Sequence, residues 1–263
     1  MIQRRNAILN EMGLGPIWRL RNKPVAHATE CLVPLEVQTD PPSVCPEPFD
    51  TAQDRPVEGH ASSDDRTSQI ARMNWDELKQ SVADCRACGL CQARKQAVLG
   101  VGDVEADWLF VGEGPGADED ERGEPFVGQA GKLLDAMLAA IDIKRGKDVY
   151  IANAVKCRPP DNRTPEPEET ASCWPYLQRQ IELIKPKLIV ALGRPAAQTL
   201  LGREVKIGAS RGQLFEHQGI PLIVTYHPAY LLRNLPDKAK SWEGLVFARK
   251  TMRELKLRTA SST

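Results

Sequence analysis

The sequence predicts an α/β protein in which a parallel sheet lies between two layers of helices. Short apolar runs, each of a length suited to a buried strand, alternate along the chain with segments whose apolar residues recur at helical spacing. Each apolar run ends at a glycine or a polar residue, as strands do where they leave a sheet. Alternating strands and helices favour a parallel sheet that is covered on both faces.

Four apolar runs are predicted as the strands of this sheet. They cover Trp108–Val111, Val149–Val155, Leu188–Leu192 and Leu222–Tyr226. Continuous apolar character is typical of parallel strands that are buried on both faces. We therefore predict a three-layer α/β/α fold around a four-stranded parallel sheet.

The helices are predicted from apolar spacing and from signals at their ends. Asn74 is suited to cap the first helix, and Thr164 followed by Pro165 is suited to begin another, in which Pro175 indicates a kink. The predicted helices are Trp75–Ala83, Ala130–Ile141, Pro165–Ile184, Pro195–Leu201 and Lys238–Leu255.

The segments outside the folded part differ in composition. Residues 1–24 carry five basic side chains and one acidic, a net charge of +4, whereas residues 25–68 carry nine acidic and two basic, a net charge of −7. The second stretch is rich in proline and poor in large apolar residues, so we predict a disordered acidic linker over residues 25–72. The folded domain is predicted over residues 73–257, followed by a disordered tail over residues 258–263.

Composition limits the classes of protein to which the chain can belong. The net charge of all 263 residues is zero, and no apolar run reaches the length that spans a membrane. The N-terminus lacks the apolar core of a signal peptide. We therefore expect a cytoplasmic protein without a membrane partner. The mildly basic remainder of the chain permits a nucleic-acid partner.

A glycine-rich turn after the first predicted strand marks the expected ligand site. It reads Gly112-Glu-Gly-Pro-Gly116, and such a turn lets another molecule approach the backbone closely. Ligands of open parallel sheets bind at the carboxyl ends of the strands. Asn153 and His227 also follow strands, and Phe126 offers a stacking face. Together they predict a pocket for a flat polar ring such as a flipped base.

The cysteines indicate a metal centre. The chain has seven, and in a reducing compartment clustered cysteines favour metal binding over disulfides. Cys85 and Cys88 form a C-x-x-C that Cys91 extends, and Cys157 and Cys173 follow later in the chain. Four thiolates can hold a [4Fe-4S] cluster or a tetrahedral zinc ion, and the spacing alone does not decide between them.

These motifs, in this order, resemble those of the family 4 uracil-DNA glycosylases, the iron–sulfur type. The resemblance runs from about residue 82 to about residue 255. It rests on Cys85-x-x-Cys88-x-Leu90 with Arg94, Gly112-Glu-Gly-Pro-Gly116, Glu124-Pro-Phe-Val-Gly128, Asn153-Ala-Val-Lys-Cys-Arg-Pro-Pro160, Cys173, and His227-Pro-Ala-Tyr-Leu-Leu-Arg233.

The resemblance implies a cofactor and a reaction. The cofactor would be a [4Fe-4S] cluster held by Cys85, Cys88, Cys157 and Cys173, with Cys91 outside the ligand set. The substrate would be uracil-containing DNA. A monomeric enzyme would hydrolyse the N-glycosidic bond of a flipped deoxyuridine, release uracil and leave an abasic site for base excision repair.

The resemblance also implies roles for the residues of the cleft. Phe126 would stack on the flipped uracil, Asn153 would read its Watson–Crick edge, and His227 would stabilise the departing uracilate through O2. Three consecutive side chains would wedge into the stack that the base has left, namely Leu231, Leu232 and Arg233.

The group that positions the attacking water is left open by the resemblance. Gly114, in the substrate-binding turn, stands where the related family 1 enzymes carry an aspartate that acts on this water. Three other polar residues are therefore candidates for that role: Glu113, Glu119 and Asn162.

The N-terminal peptide has a resemblance of its own. Arg4-Arg5, Met12-Gly13-Leu14 and Ile17-Trp18-Arg19-Leu20-Arg21 are similar to the N-terminal peptide of the bacterial DNA polymerase III psi subunit. This implies that residues 1–24 dock onto the clamp loader or another replication protein, the alternative being a basic arm that contacts phosphates.

A second function also fits the motifs. The chain could be a non-catalytic iron–sulfur module that binds DNA or a replication partner. The presence of Phe126, Asn153 and His227 together favours the enzyme, because a module that only binds needs no such pocket.

Overall fold

The structure is a computed structural model that describes residues 63–260, and its centre is a mixed sheet. The strands are β1 Val101–Gly102, β2 Trp108–Gly112, β3 Val149–Asn153, β4 Leu188–Leu192, β5 Leu214–His217 and β6 Ile220–Thr225. They lie in the order β1-β3-β2-β4-β6-β5. The inner strands β3, β2, β4 and β6 are parallel, and the edge strands β1 and β5 are antiparallel to their neighbours. The α/β class is confirmed.

The predicted size of the sheet was wrong, because it has six strands rather than four. The four predicted strands are the parallel inner ones. β1 has two residues and lies in a glycine-containing stretch, so it leaves no apolar run in the sequence. β5 is mostly solvent-accessible and joins β6 as a hairpin in which His217 pairs with Ile220. Both edges therefore escape a search for buried runs.

Helices cover both faces of the sheet. They are α1 Ser63–Ile70, α2 Trp75–Asp84, α3 Ala117–Arg122, α4 Gln129–Ala139, α5 Pro167–Ile184, α6 Arg194–Leu201, α7 Ile207–Ser210, α8 Pro228–Arg233 and α9 Lys238–Ala260. Asn74 caps α2 as predicted, accepting from the N–H groups of Asp76 and Glu77. α5 begins later than predicted, with Glu166 at its N-cap, because the Glu169 carboxylate accepts the Glu166 N–H at 2.8 Å.

The boundaries of the folded part also differ from the prediction. α1 lies inside the predicted linker, yet Ile70 is 1% exposed and packs in the core around the cysteines. Arg66 donates to the Ser172 carbonyl at 2.9 Å and lies over the Tyr176 ring. Such tertiary contacts, rather than helical periodicity, stabilise α1, which is why the sequence pattern missed it. α9 likewise continues to Ala260, into the predicted tail, whereas the predictions for residues 1–62 lie outside the described residues.

Two hydrophobic cores flank the sheet. Phe110 and Val190 contribute to one core, together with side chains of α4, α8 and α9. Leu109 and Ile189 point to the other, which includes residues of α5 and α6. Every residue of β2, β3 and β4 is buried, so the sheet is a rigid platform. Within residues 63–260, none of the helices combines the length and the apolar character needed to cross a membrane.

Candidate active site

A cleft of about 790 Å³ lies at the carboxyl ends of the parallel strands. Most of the residues predicted for the site line it: Glu113, Gly114, Glu119, Phe126, Asn153, Asn162, His227 and Arg233. Leu231 and Leu232 are outside the lining. The cleft thus lies where ligands bind in open parallel sheets.

Asn153 ends β3 and lies at the bottom of the cleft. Asn153 is 2% exposed, and its Oδ1 atom is buried without a hydrogen-bond partner in the described residues. Gly112 pairs with Asn153 across β2 and β3. A Cβ atom at position 112 would lie 2.4 Å from Oδ1 and 2.7 Å from the Phe126 ring, so only glycine leaves room for this arrangement. A buried acceptor without a partner is the expected feature of a polar ligand site.

Phe126 forms one wall of the cleft in a strained conformation. Its φ angle is +56°, a region that favours glycine. Arg145 holds this backbone by donating to the carbonyls of Pro125 at 2.9 Å and of Phe126 at 2.8 Å. The Phe126 ring packs against the His227 ring, with a centroid distance of 5.4 Å. The aromatic face is therefore fixed beside Asn153 before any ligand arrives.

Glu119 holds the same loop from the other side. Its carboxylate accepts the N–H groups of Gly116 at 3.0 Å, Val127 at 3.0 Å and Gly128 at 3.2 Å. These bonds occupy the oxygens of Glu119, so this side chain stabilises the loop that carries Phe126.

His227 follows β6 and caps α8. Its Nδ1 accepts the N–H of Ala229 at 3.1 Å, which places the proton of the neutral ring on Nε2. Burial, with a smaller effect from the nearby Arg233 charge, lowers the pKa of His227 to about 4. The imidazole is therefore neutral at physiological pH, with Nε2–H available as a donor.

Glu113 and Asn162 have different surroundings. Burial raises the pKa of Glu113, and the opposing effects are a hydrogen bond with Thr164 and the charge of Arg194. The Asn162 side chain instead accepts from Arg158 Nε at 2.8 Å, on a short 3₁₀ turn. The sequence predicts Thr164 only as a helix cap and gives Arg194 no role, so the effect of either residue on Glu113 could not be predicted from it.

The predicted wedge is only partly at the surface. Leu231 is 1% exposed and packs in the core, because it lies on the inner face of α8. This corrects its assignment as a wedge. Leu232 is 41% exposed, and Arg233 is exposed beside the cleft. Tyr230, one turn earlier, is also exposed and stacks on Tyr226 with a centroid distance of 5.3 Å.

The predicted metal ligands line a second, smaller pocket between α2, α5 and the loop after β3. Its walls include all four predicted sulfur ligands and also Cys91: Cys85, Cys88, Cys91, Cys157 and Cys173. Burial raises the pKa of Cys157, and raises that of Cys173 to about 12. In the described part of the chain, no group of three or more His, Cys, Asp or Glu side chains is arranged to hold a metal ion.

Nitrogen donors point at three of these sulfur atoms. Arg94 Nη1 donates to Cys157 Sγ at 2.7 Å, and Arg66 Nη2 lies 3.8 Å from Cys85 Sγ. The backbone N–H of Lys156 donates to Cys173 Sγ at 3.2 Å. Such donors favour the thiolate form of the cysteines that they contact.

The sequence of this chain is similar to the sequences of known proteins. A sequence model described as "Uracil DNA glycosylase superfamily" matches residues 99–248, a span that contains every cleft residue described above. The type-4 uracil-DNA glycosylase of Archaeoglobus fulgidus is 46% identical over 165 residues, which cover 60% of this chain and 82% of the relative. That of Thermotoga maritima is 48% identical over 165 residues, covering 62% of this chain and 85% of the relative.

A more distant relative is the type-5 uracil-DNA glycosylase of Pyrobaculum aerophilum. It is 32% identical over 150 residues, covering 49% of this chain and 64% of that protein. The chain belongs to the uracil DNA glycosylase superfamily and, within it, to the type-4 uracil-DNA glycosylases.

Proposed function

We propose that the chain removes uracil from DNA by hydrolysis, and that Asn153, Phe126 and His227 carry the recognition and the chemistry. Membership of the type-4 uracil-DNA glycosylases makes the chain a hydrolytic DNA glycosylase that acts in DNA repair. The observation that carries the assignment of residues is the buried Oδ1 of Asn153, which has no partner in the protein. A uracil ring in the cleft would supply that partner.

The three residues would divide the work on a flipped uracil. Asn153 Oδ1 accepts the N3–H of uracil and Nδ2 donates to O4, whereas cytosine presents the opposite pattern at that edge. Phe126 stacks on the ring. His227 donates its Nε2–H to O2, where negative charge develops as the bond from C1′ to N1 breaks. Water adds to C1′, the uracilate takes up a proton, and the DNA keeps an abasic site.

Among the candidates for positioning the water, we favour Glu113. Glu113 lines the cleft, and its carboxyl group has a hydrogen bond with Thr164. The Glu119 oxygens instead accept three backbone N–H groups, and the Asn162 side chain is bonded to Arg158. Gly114 cannot be replaced by the aspartate of family 1 enzymes without movement, because a Cβ atom there would lie 2.8 Å from Val155 Cγ2. A carboxylate can accept a proton from the attacking water as it approaches the sugar.

The sulfur-lined pocket would hold the [4Fe-4S] cluster. Cys85, Cys88, Cys157 and Cys173 approach it from three separate segments, as suits a body larger than one ion. Nitrogen donors contact three of these sulfur atoms, those of Cys85, Cys157 and Cys173. When bound, the cluster would supply iron–thiolate bonds that link α2, the loop after β3 and α5.

Contacts with DNA outside the pocket would come from the exposed part of α8. Leu232 and Arg233 would enter the space that the flipped base leaves.

The partners beyond DNA remain predictions. We propose that the protein works in the cytosol as a monomer, and that residues 1–24, which lie outside the described residues, dock onto a clamp-loader or other replication protein through Trp18. Deletion of residues 1–24 should leave uracil excision from a short oligonucleotide unchanged and should abolish capture of clamp-loader subunits. Salt-dependent loss of binding to bare DNA would instead indicate a basic arm.

The assignment of Asn153 is tested by uracil release from a single-stranded oligonucleotide. Asn153→Ala should lower kcat/KM by about 5- to 150-fold, since an unpaired polar edge costs roughly 1–3 kcal/mol. Asn153→Asp should weaken uracil release as well, because its ionised carboxylate cannot donate to O4. Gln80→Ala, which removes an exposed amide on α2 that does not line the cleft, is the matched control and should change little. Unchanged kinetics in a folded Asn153→Ala variant would exclude the assignment.

The cluster is tested by metal analysis of anaerobically purified protein. The wild type should contain about four irons per chain, as a four-cysteine cluster requires. Cys157→Ser should lose the iron, and Cys91→Ser, whose sulfur lines the same pocket, should retain it. One zinc and no iron in the wild type would exclude the cluster.

A further inference from the structure

Lys156 is a buried cation for which the proposed chemistry has no use. It is 1% exposed, and no carboxylate of the described residues forms an ion pair with it. Its Nζ atom donates to the backbone carbonyl of Asn153 at 2.8 Å and to Gln180 Oε1 at 2.5 Å. A charged side chain is rarely buried in this way unless the contacts it makes are needed.

Gln180 fixes the far end of this arrangement. It is fully buried on α5, and its Nε2 donates to the Leu99 carbonyl at 3.0 Å and to the Tyr150 hydroxyl at 3.2 Å. Every polar atom of the Gln180 amide thus has a partner, which holds its Oε1 towards Lys156. An anchored acceptor of this kind restricts where the ammonium group of Lys156 can lie.

Lys156 also contacts the sulfur-lined pocket through its backbone. Its N–H donates to Cys173 Sγ at 3.2 Å, and the next residue is Cys157. One residue therefore contacts the base-reading residue through its side chain and a sulfur of the pocket through its main chain. The ammonium group of Lys156 is suited to join the Asn153 carbonyl oxygen and Gln180 Oε1, because it has three donors and no acceptor.

We propose that Lys156 is a positioning residue for Asn153 that sets how the amide is presented to the base. The Oδ1 atom of Asn153 has no partner, so the position of Asn153 is set through its backbone rather than through its side-chain oxygen. The Lys156 bond to the Asn153 carbonyl is the side-chain contact that does so. The inference rests on the proposed role of Asn153 as the residue that reads uracil.

The test measures base discrimination in binding, which needs no turnover. The probe is a fluorescent oligonucleotide with one 2′-fluoro-2′-deoxyuridine, whose glycosidic bond resists cleavage. It is compared with the same strand carrying 2′-fluoro-2′-deoxycytidine, because cytosine presents the opposite donor and acceptor pattern at the edge that Asn153 reads. Lys156→Met keeps the length of the side chain and removes its donors. It should lower the ratio of the two affinities at least fivefold, while iron per chain stays at the wild-type level.

Two further variants make the result specific. Lys147→Met removes an exposed lysine at the opposite end of β3 and should leave the ratio unchanged. Gln180→Leu keeps Lys156 but removes the acceptor that anchors it. The logarithm of the affinity ratio should fall by about half as much as in Lys156→Met. It also serves as the test if Lys156→Met does not fold.

A double-mutant cycle separates positioning from a general structural role. In an Asn153→Ala background, Lys156→Met should cause no further loss of discrimination, because the residue through which it acts is gone. An equal loss in both backgrounds, or an unchanged ratio in folded, iron-containing Lys156→Met and Gln180→Leu, would overturn the proposal. If Asn153→Ala itself leaves the ratio unchanged, the proposed reading of uracil fails instead.

Discussion

The floor and the rim of the cleft are built in different ways. The floor consists of Asn153, Phe126 and His227, which are fixed by their neighbours, whereas the rim consists of Tyr230 and Leu232 on α8. The rim side chains are exposed by 36% and 41% respectively. Of these, Tyr230 is held by its stack on Tyr226 and by a hydrogen bond to Asp237 at 2.7 Å.

The difference shows how one cleft can serve two requirements. A base must be held in one orientation, so the floor is set before the ligand binds, with Phe126 strained and bonded through its backbone. Exposed apolar side chains beside a cleft are suited to contact a partner that arrives from solvent. Floor variants should therefore affect the chemistry and the stability together, and rim variants should affect binding alone.

The largest effect is expected on stability when the pH is lowered and His227, in the floor, becomes protonated. In the unfolded chain its imidazole binds a proton near the ordinary pKa of 6.5, but in the folded protein only near a pKa of about 4. Between these values the unfolded state holds more protons, so stability falls as the pH is lowered from 6.5 to 4. The contribution is at most about 3 kcal/mol.

Urea unfolding at pH 7 and at pH 4 measures this contribution. His227→Gln should reduce the difference in unfolding free energy between the two pH values, whereas the rim variant Leu232→Ala should keep the full difference. Identical pH dependence in wild type and His227→Gln would show that the imidazole is not held neutral by the fold.

A smaller effect is expected when the floor loses its backbone support. Arg145→Met removes the donors to the carbonyls of Pro125 and Phe126, so the strained loop can relax and the aromatic face moves. Uracil excision should fall about tenfold in kcat/KM, equivalent to roughly 1.4 kcal/mol, and the melting temperature should fall as well.

Asp135→Asn is the matched control for Arg145→Met. It weakens the ion pair of Asp135 with Arg145 Nε, at 2.9 Å, but leaves the contacts with the carbonyls in place. Excision should change little. Equal losses in the two variants would mean that the charge of the pair, rather than the contact with the Phe126 loop, is what matters.

The smallest effect is expected at the rim. Leu232→Ala should weaken binding of uracil-containing DNA about fivefold, as loss of an apolar contact worth roughly 1 kcal/mol implies. The free energy of unfolding should change by less than about 0.5 kcal/mol, because the side chain is exposed. Val246→Ala, at an exposed position on α9, should change neither property. A clear loss of stability in Leu232→Ala would show that the Leu232 side chain is packed in the fold, as the floor side chains are.

The parts of the fold that could be predicted are those set by local pattern. Buried parallel strands leave continuous apolar runs, so the inner strands and the side chains at their ends, Asn153 and His227, could be located from the sequence. The edge strands could not, because β1 is two residues long and β5 is largely exposed.

Contacts between distant segments could not be predicted from the same pattern. Arg145 supports Phe126 across 19 positions of sequence, and Gln180 meets Lys156 across 24. Nothing local distinguishes these side chains from exposed ones. Leu231 and Leu232 are identical neighbours in the sequence, and only the packing of α8 decides that one is buried and the other exposed.

The antiparallel edges of the sheet have a consequence for how molecules of this protein meet one another. A parallel sheet that ended at a long, flat strand would offer a row of unpaired N–H and C=O groups to a second chain. Here β1 offers two residues, with glycine at 102 in a positive-φ conformation, and β5 is a four-residue arm of a hairpin. Neither edge is long enough to template the growth of an intermolecular sheet, which protects a concentrated protein from aggregation.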